Sequence, residues 1–129
     1  MDTPEDFRFS RDHEWAHDEG DGTVTIGISY HAQDALGDIV FVELPAEGDE
    51  FQKGADLGVV ESVKTVSDIY APVSGEIVAI NDELEDAPEL VNESPYDTGW
   101  IVRIRMSNPN ELEELMDAEG YESFLHDGE

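Results

Sequence analysis

The fold is constrained first by a succession of short, β-branched segments, each stopped within a few residues by glycine, proline, aspartate or asparagine. TVTIGI (residues 23–28) alternates with period two and puts Val24, Ile26 and Ile28 on one face. Comparable runs occupy residues 38–44, 58–63, 65–70, 76–80 and 100–106, with a shorter one at 13–17. Segments of this length and composition form strands, and punctuation this frequent leaves no room for a long helix. Ser29 is placed to cap a short helix over Tyr30–Leu36, which Gly37 ends. Beyond residue 106 the period changes. Pro109 sits at a first helical position, and Leu112, Leu115 and Met116 share a face. Gly120 breaks that pattern, and Tyr121, Phe124 and Leu125 mark a second short helix. The expected fold is mainly β: small antiparallel sheets, a short helix after the second strand and C-terminal helices. One domain is expected over residues 1–129, with a body at about 7–106 and a helical segment at about 108–127.

A faint repeat accompanies the strands. GDIV (37–40) matches GEIV (75–78), and VVES (59–62) matches VNES (91–94). Two half-sheets related by a pseudo-two-fold would produce it. Tyr96 would then stand at a second turn, where the first half carries Lys64.

Charge narrows the function. Six cationic residues against 33 acidic ones give 6 − 33 = −27. Phosphate backbones and anionic membranes need Lys or Arg, so neither nucleic acid nor a membrane is expected as a partner. The acids are spread along the chain instead of gathered in a tail. That pattern predicts a salt-adapted, haloarchaeal-type host, because at about 1 M salt the Debye length is roughly 3 Å and self-repulsion is screened; the plain alternative is a merely acidic mesophilic protein. No run of 18 apolar residues exists, and the first six residues, MDTPED, lack the apolar core of a signal peptide. A cytoplasmic monomer is expected. Cysteine is absent, which excludes disulfides, thiolate catalysis and cysteine zinc sites.

Enzymatic motifs are also missing. His13, His17, His31 and His126 fall in no HExxH pattern and beside no G-x-S-x-G elbow. His13 and His17 would lie about 13 Å apart on a strand, too far to share a metal. The acidic segments 18–21 and 82–86 lack calcium-loop spacing.

Lys64 remains. It is one of two lysines, with Lys53, and it falls between two valine-rich runs, at a hairpin tip. A catalytic lysine needs an apolar pocket to lower its pKa; a hairpin tip instead offers the amine to another protein. That suits a lysine carrying a prosthetic group on a swinging arm. The plain alternative is an ordinary surface lysine.

The segment ESVKTVSDIYAPVSGEI (61–77) resembles the lipoyl-attachment segment of glycine cleavage system H proteins. HEW (13–15), IGI (26–28), HAQ (31–33), LGDIVFVELP (36–45), SPY (94–96) and GW (99–100) follow the same family's order and spacing, so the likeness covers roughly residues 7–125. The resemblance implies a hybrid barrel-sandwich of two small β-sheets. It implies lipoate joined to Lys64 by an amide, which would take the charge from −27 to −28. It implies a non-catalytic carrier that serves the P, T and L proteins: glycine decarboxylase, the aminomethyltransferase and dihydrolipoyl dehydrogenase. Glu61 resembles the acidic residue read by lipoate attachment enzymes. Glu14, Ile28 and Asp68 resemble residues lining a cleft for the loaded arm; Ala35 departs from relatives that carry histidine there. The rivals are a biotin carrier, which would flank the lysine with Met instead of Val63 and Thr65, and a lipoyl domain of a 2-oxoacid dehydrogenase. An H-like protein relaying lipoate to other lipoyl domains is a further alternative, as is a small enzyme using His31.

Overall fold

The computed structural model describes residues 4–127. Its strands are Arg8–Phe9 (β1), Glu14–Asp18 (β2), Thr23–Ile28 (β3), Ile39–Glu43 (β4), Glu50–Phe51 (β5), Asp56–Ser62 (β6), Val66–Tyr70 (β7), Gly75–Ile80 (β8) and Val102–Met106 (β9). The helices are Tyr30–Leu36 (α1), Glu83–Asp86 (α2), Leu90–Glu93 (α3), Asn110–Glu113 (α4) and Ala118–Asp127 (α5). The strands form two antiparallel sheets: six strands in the order β1-β2-β3-β9-β8-β5, and three in the order β4-β6-β7. Neither sheet closes into a barrel.

The period-two pattern explains the main core. Val24, Ile26 and Ile28 of β3, Ile77 of β8 and Val102 and Ile104 of β9 face Val42, Val60 and Ile69 of the smaller sheet in one aliphatic cluster. A second cluster is aromatic: Phe9, Trp15 and Tyr121 are buried, with Phe7, Tyr96, Trp100 and Phe124 packed around them. Trp15 is the strand partner of Gly27. A Cβ on Gly27 would lie 2.6 Å from the indole, so the tryptophan can lie flat across β3 only because that position is glycine. Phe9 and Met116 exchange backbone hydrogen bonds of 2.8 and 2.9 Å, which seat the C-terminal segment on β1.

Several sequence expectations are corrected. Gly120 does not break the last helix; it lies inside α5, in the first turn. Asp117 accepts the Gly120 N–H on its carboxylate at 2.8 Å, an N-cap that starts the helix ahead of the glycine. The helix after Pro109 lasts four residues, because the chain must straighten for Met116 to meet Phe9. VNES (91–94) falls on α3 and the end of its turn, whereas VVES (59–62) is strand. The repeat is therefore not structural, and Tyr96 stands at no second hairpin; its hydroxyl accepts the Tyr30 N–H at 2.9 Å. The two-residue strands β1 and β5 carry no period for a sequence to display. The strand expected at 100–106 begins at Val102. Residues 1–3 of the MDTPED stretch and residues 128–129 of the expected domain lie outside the described residues. No helix among the described residues is long and apolar enough to cross a membrane.

Candidate functional site

The β6–β7 hairpin is closed by local polar chemistry. Ser62 N–H donates to the Thr65 carbonyl at 2.8 Å. The Ser62 hydroxyl oxygen accepts from both Lys64 N–H and Thr65 N–H, each at 3.1 Å. Val63 N–H donates across to the Asp38 carbonyl at 3.0 Å, so the tip is also tied to the turn leading into β4. Lys64 stands exposed at this tip. Its stem crosses Gly37, the C-cap of α1, whose φ is 83°. A Cβ there would lie 3.1 Å from the Lys64 Cε.

The amines of the two lysines differ. Lys53 Nζ pairs with Glu114 at 2.6 Å. Among the described residues no carboxylate pairs with Lys64, in a chain holding 33 of them. Around it the outer face of the smaller sheet mixes exposed apolar side chains with acidic ones. Phe41, Glu61 and Val66 form one cross-strand row, and Glu43, Val59 and Asp68 form the next. Phe41 is 46 % exposed, Val63 67 % and Val66 61 %. Glu61 sits half-buried in the centre of this row.

The residues expected to line a cleft are distributed unevenly. Glu14 and Ile28 are strand partners on β2 and β3. Ile28 is buried in the main core. The Glu14 carboxyl is also buried, with Oε1 accepting from the Ser10 hydroxyl at 2.6 Å and Oε2 from the Tyr70 N–H at 3.0 Å. Burial pushes its pKa up to about 7, against the opposing pull of those two hydrogen bonds. It borders a cleft of about 290 Å³ that Ser10, Asp12, Lys53 and Tyr70 help to line. Asp68 lies outside that cleft, exposed on β7. It is nevertheless the largest electrostatic influence on Tyr70, whose phenol it holds above its ordinary pKa. The Tyr70 N–H ties the Glu14 carboxyl to the far end of β7, the strand that leaves the Lys64 hairpin.

Ala35 is exposed on α1. Among the described residues no three His, Cys, Asp or Glu side chains converge on a metal position. His13 and His31, separate in the sequence, meet with ring centroids 4.9 Å apart. His13 Nδ1 lies 2.7 Å from the Tyr121 hydroxyl, and burial, with His31 beside it, lowers its pKa. Sequence reasoning missed this pairing because a left-handed residue, His13 with φ 72°, turns the ring off the strand it precedes.

The result is a two-sheet β domain with one unpaired lysine exposed at the tip of a bonded hairpin. The family model described as glycine cleavage H-protein matches residues 7–128. The glycine cleavage system H protein of Vibrio parahaemolyticus is 58 % identical over 120 residues, covering 93 % of this chain and 95 % of that one. The one from Chromohalobacter salexigens is 55 % identical over 122 residues, covering 95 % and 93 %. The crystal structure of a glycine cleavage system H protein from Mycobacterium marinum superposes with a TM-score of 0.85 at 38 % identity, covering 98 % of this chain and 99 % of that one. The chain belongs to the glycine cleavage H-protein family. These relatives are bacterial and give the expectation of a haloarchaeal host no support.

Proposed function

We propose that this chain is the lipoyl carrier of the glycine cleavage system, with lipoate joined by an amide to Lys64. The observation that carries the reading is the unpaired, exposed Lys64 amine on a hairpin fixed by Ser62 and by Asp38. The residues fit the group. An amide needs an accessible amine, and the lysine stem already runs over a bare glycine instead of into the core. Lipoate, when attached, supplies the dithiolane that takes the aminomethyl group from the P protein, yields the one-carbon unit to the T protein and is reoxidised by the L protein.

The chain's own part is to anchor, aim and shelter. The rigid hairpin aims the lysine. The row of Phe41, Glu61 and Val66 offers partner enzymes two exposed apolar contacts beside the lysine. Glu61, central in that row, is the acidic mark for the attachment enzyme. Glu14, Ile28 and Asp68 form the sheltering side. A carboxyl poised near pH 7 at the end of β7 can accept hydrogen bonds from a cationic amine, and Asp68 supplies a second negative charge on the way. No step of this reading has a residue of this chain perform the chemistry, and the cycle runs in the cytoplasm. A salt-rich setting belongs to the same reading, and molar salt that failed to raise the melting temperature would remove it.

The test is attachment and then turnover. Incubation with lipoate, ATP and a lipoate–protein ligase is expected to add one lipoyl group, lost in Lys64→Arg. The loaded protein is expected to support glycine–bicarbonate exchange by a P protein. A biotin adduct would defeat the reading. Transfer of lipoate to other acceptors without exchange activity would replace it with the relay function.

A further inference from the structure

We propose that Asn92, on α3, is the positioning residue for Lys64, acting through the turn at residues 37–39; the proposal rests on Lys64 being the attachment point. Asn92 uses its whole amide. Its Oδ1 accepts the Ile39 N–H at 2.8 Å. Its Nδ2 donates to the Gly37 carbonyl at 2.9 Å and to the Gln33 Oε1 at 2.9 Å. Two acceptors face the nitrogen and one donor faces the oxygen, so the orientation of the amide is fixed by its partners. Gln33 is buried, and its own Nε2 donates to the Tyr30 carbonyl at 3.0 Å. One side chain thus clamps the last turn of α1 to the first residue of β4.

That clamped turn touches the lysine hairpin in two places. The Asp38 carbonyl, between the two clamped residues, accepts the Val63 N–H. Gly37 lies directly beneath the Lys64 stem. A backbone carbonyl orients a hairpin tip only as well as its own peptide plane is held. Asn92 holds the Gly37 carbonyl on one side of residue 38 and the Ile39 N–H on the other, which fixes both flanking peptides. Asn92 makes no hydrogen bond to the hairpin itself, so its effect passes entirely through residues 37–39. Its partners lie 53 to 59 residues away in the chain. Nothing local in α3 requires an amide there.

Loss of the clamp leaves the hairpin formed, because Ser62 closes it internally, but lets it sample directions an attachment enzyme cannot use. The competent fraction falls and the apparent affinity falls with it, while turnover of the bound complex holds. In Asn92→Ala the KM for lipoyl attachment is expected to rise about tenfold with kcat within about twofold. Amide hydrogen exchange at Val63 is expected to quicken while exchange in β9 does not. Asn92→Asp keeps the shape and the Ile39 bond and loses both donors. It is expected to shift KM and Val63 exchange in the same direction, which covers the case where the alanine variant fails to fold. Val24→Ala, a core change in the six-stranded sheet, is the control and is expected to leave KM and Val63 exchange unmoved. A folded Asn92 variant with unchanged KM, or with unchanged Val63 exchange, overturns the proposal. If the wild-type chain accepts no lipoyl group, the reading of Lys64 fails instead, and Val63 exchange still decides whether Asn92 controls the hairpin.

Discussion

The two sheets treat their surfaces in opposite ways. In the six-stranded sheet, β3 is covered on both sides: Val24, Ile26 and Ile28 meet the aliphatic core, and Trp15 lies across Gly27 from the other face. In the three-stranded sheet only the inner row is covered. Val42, Val60 and Ile69 are buried, while Val40, Phe41 and Val66 face outward. The inner rows of both sheets build one shared core, and the smaller sheet leaves Val40, Phe41 and Val66 exposed near its lysine. A carrier that must meet several enzymes gains from this division, since partners can bind one face without disturbing the packing that holds the other.

Substitutions separate the two sheets, and the largest effect is expected in the core. Ile104→Ala, at a fully buried site in β9, is expected to cost about 2–5 kcal/mol in denaturant unfolding while the folded fraction is still lipoylated. A loss of attachment beyond the loss of folded protein would mean that the sheets are not separable. Next comes Glu14, where the sheets meet. Its ordinary pKa of 4.5 is raised to about 7, so its proton is held more tightly in the folded state. The stability it contributes is complete below pH 4.5 and is lost as pH rises through about 7. Glu14→Gln removes this dependence. The stability difference between variant and wild type is expected to move by about 3 kcal/mol in the variant's favour from pH 4.5 to pH 8. Parallel pH profiles would show that Glu14 titrates normally. The smallest effect on stability is expected at Glu61→Ala, within about 0.5 kcal/mol, as for other surface sites. Its expected signature is slower attachment at an unchanged melting temperature. Unchanged kinetics would make Glu61 surface charge and no more.

What the sequence displayed follows the range of the forces involved. Helix α1 is legible because its signals are local: the Ser29 hydroxyl caps the Ala32 N–H at 3.1 Å, and Gly37 takes the positive φ that ends it. The hairpin is legible because valine-rich runs flank a short polar tip. Lys64 stands out by rarity in so acidic a chain, and the ordered motifs around it carry the family. The rest depends on partners distant in the chain. Strand β5 exists because Glu50 and Phe51 meet Glu76 and Gly75. α3 reads as well as a strand until its contacts are known. The resemblance singles out Glu14 as a cleft residue, but no local pattern shows that its carboxyl is buried, as it is among the described residues. The four residues VNES suggest a repeat of VVES, and only the fold reveals that Asn92 is bonded to Gln33, Gly37 and Ile39.

The central claim is that the free lysine of the smaller sheet is the anchor. The intact mass of the protein from its natural host, followed by peptide mapping, tests it most directly. One lipoyl amide on Lys64, with Lys53 unmodified, is the expected result. An unmodified Lys64 in cells actively cleaving glycine, or a lipoyl group on Lys53, would contradict it.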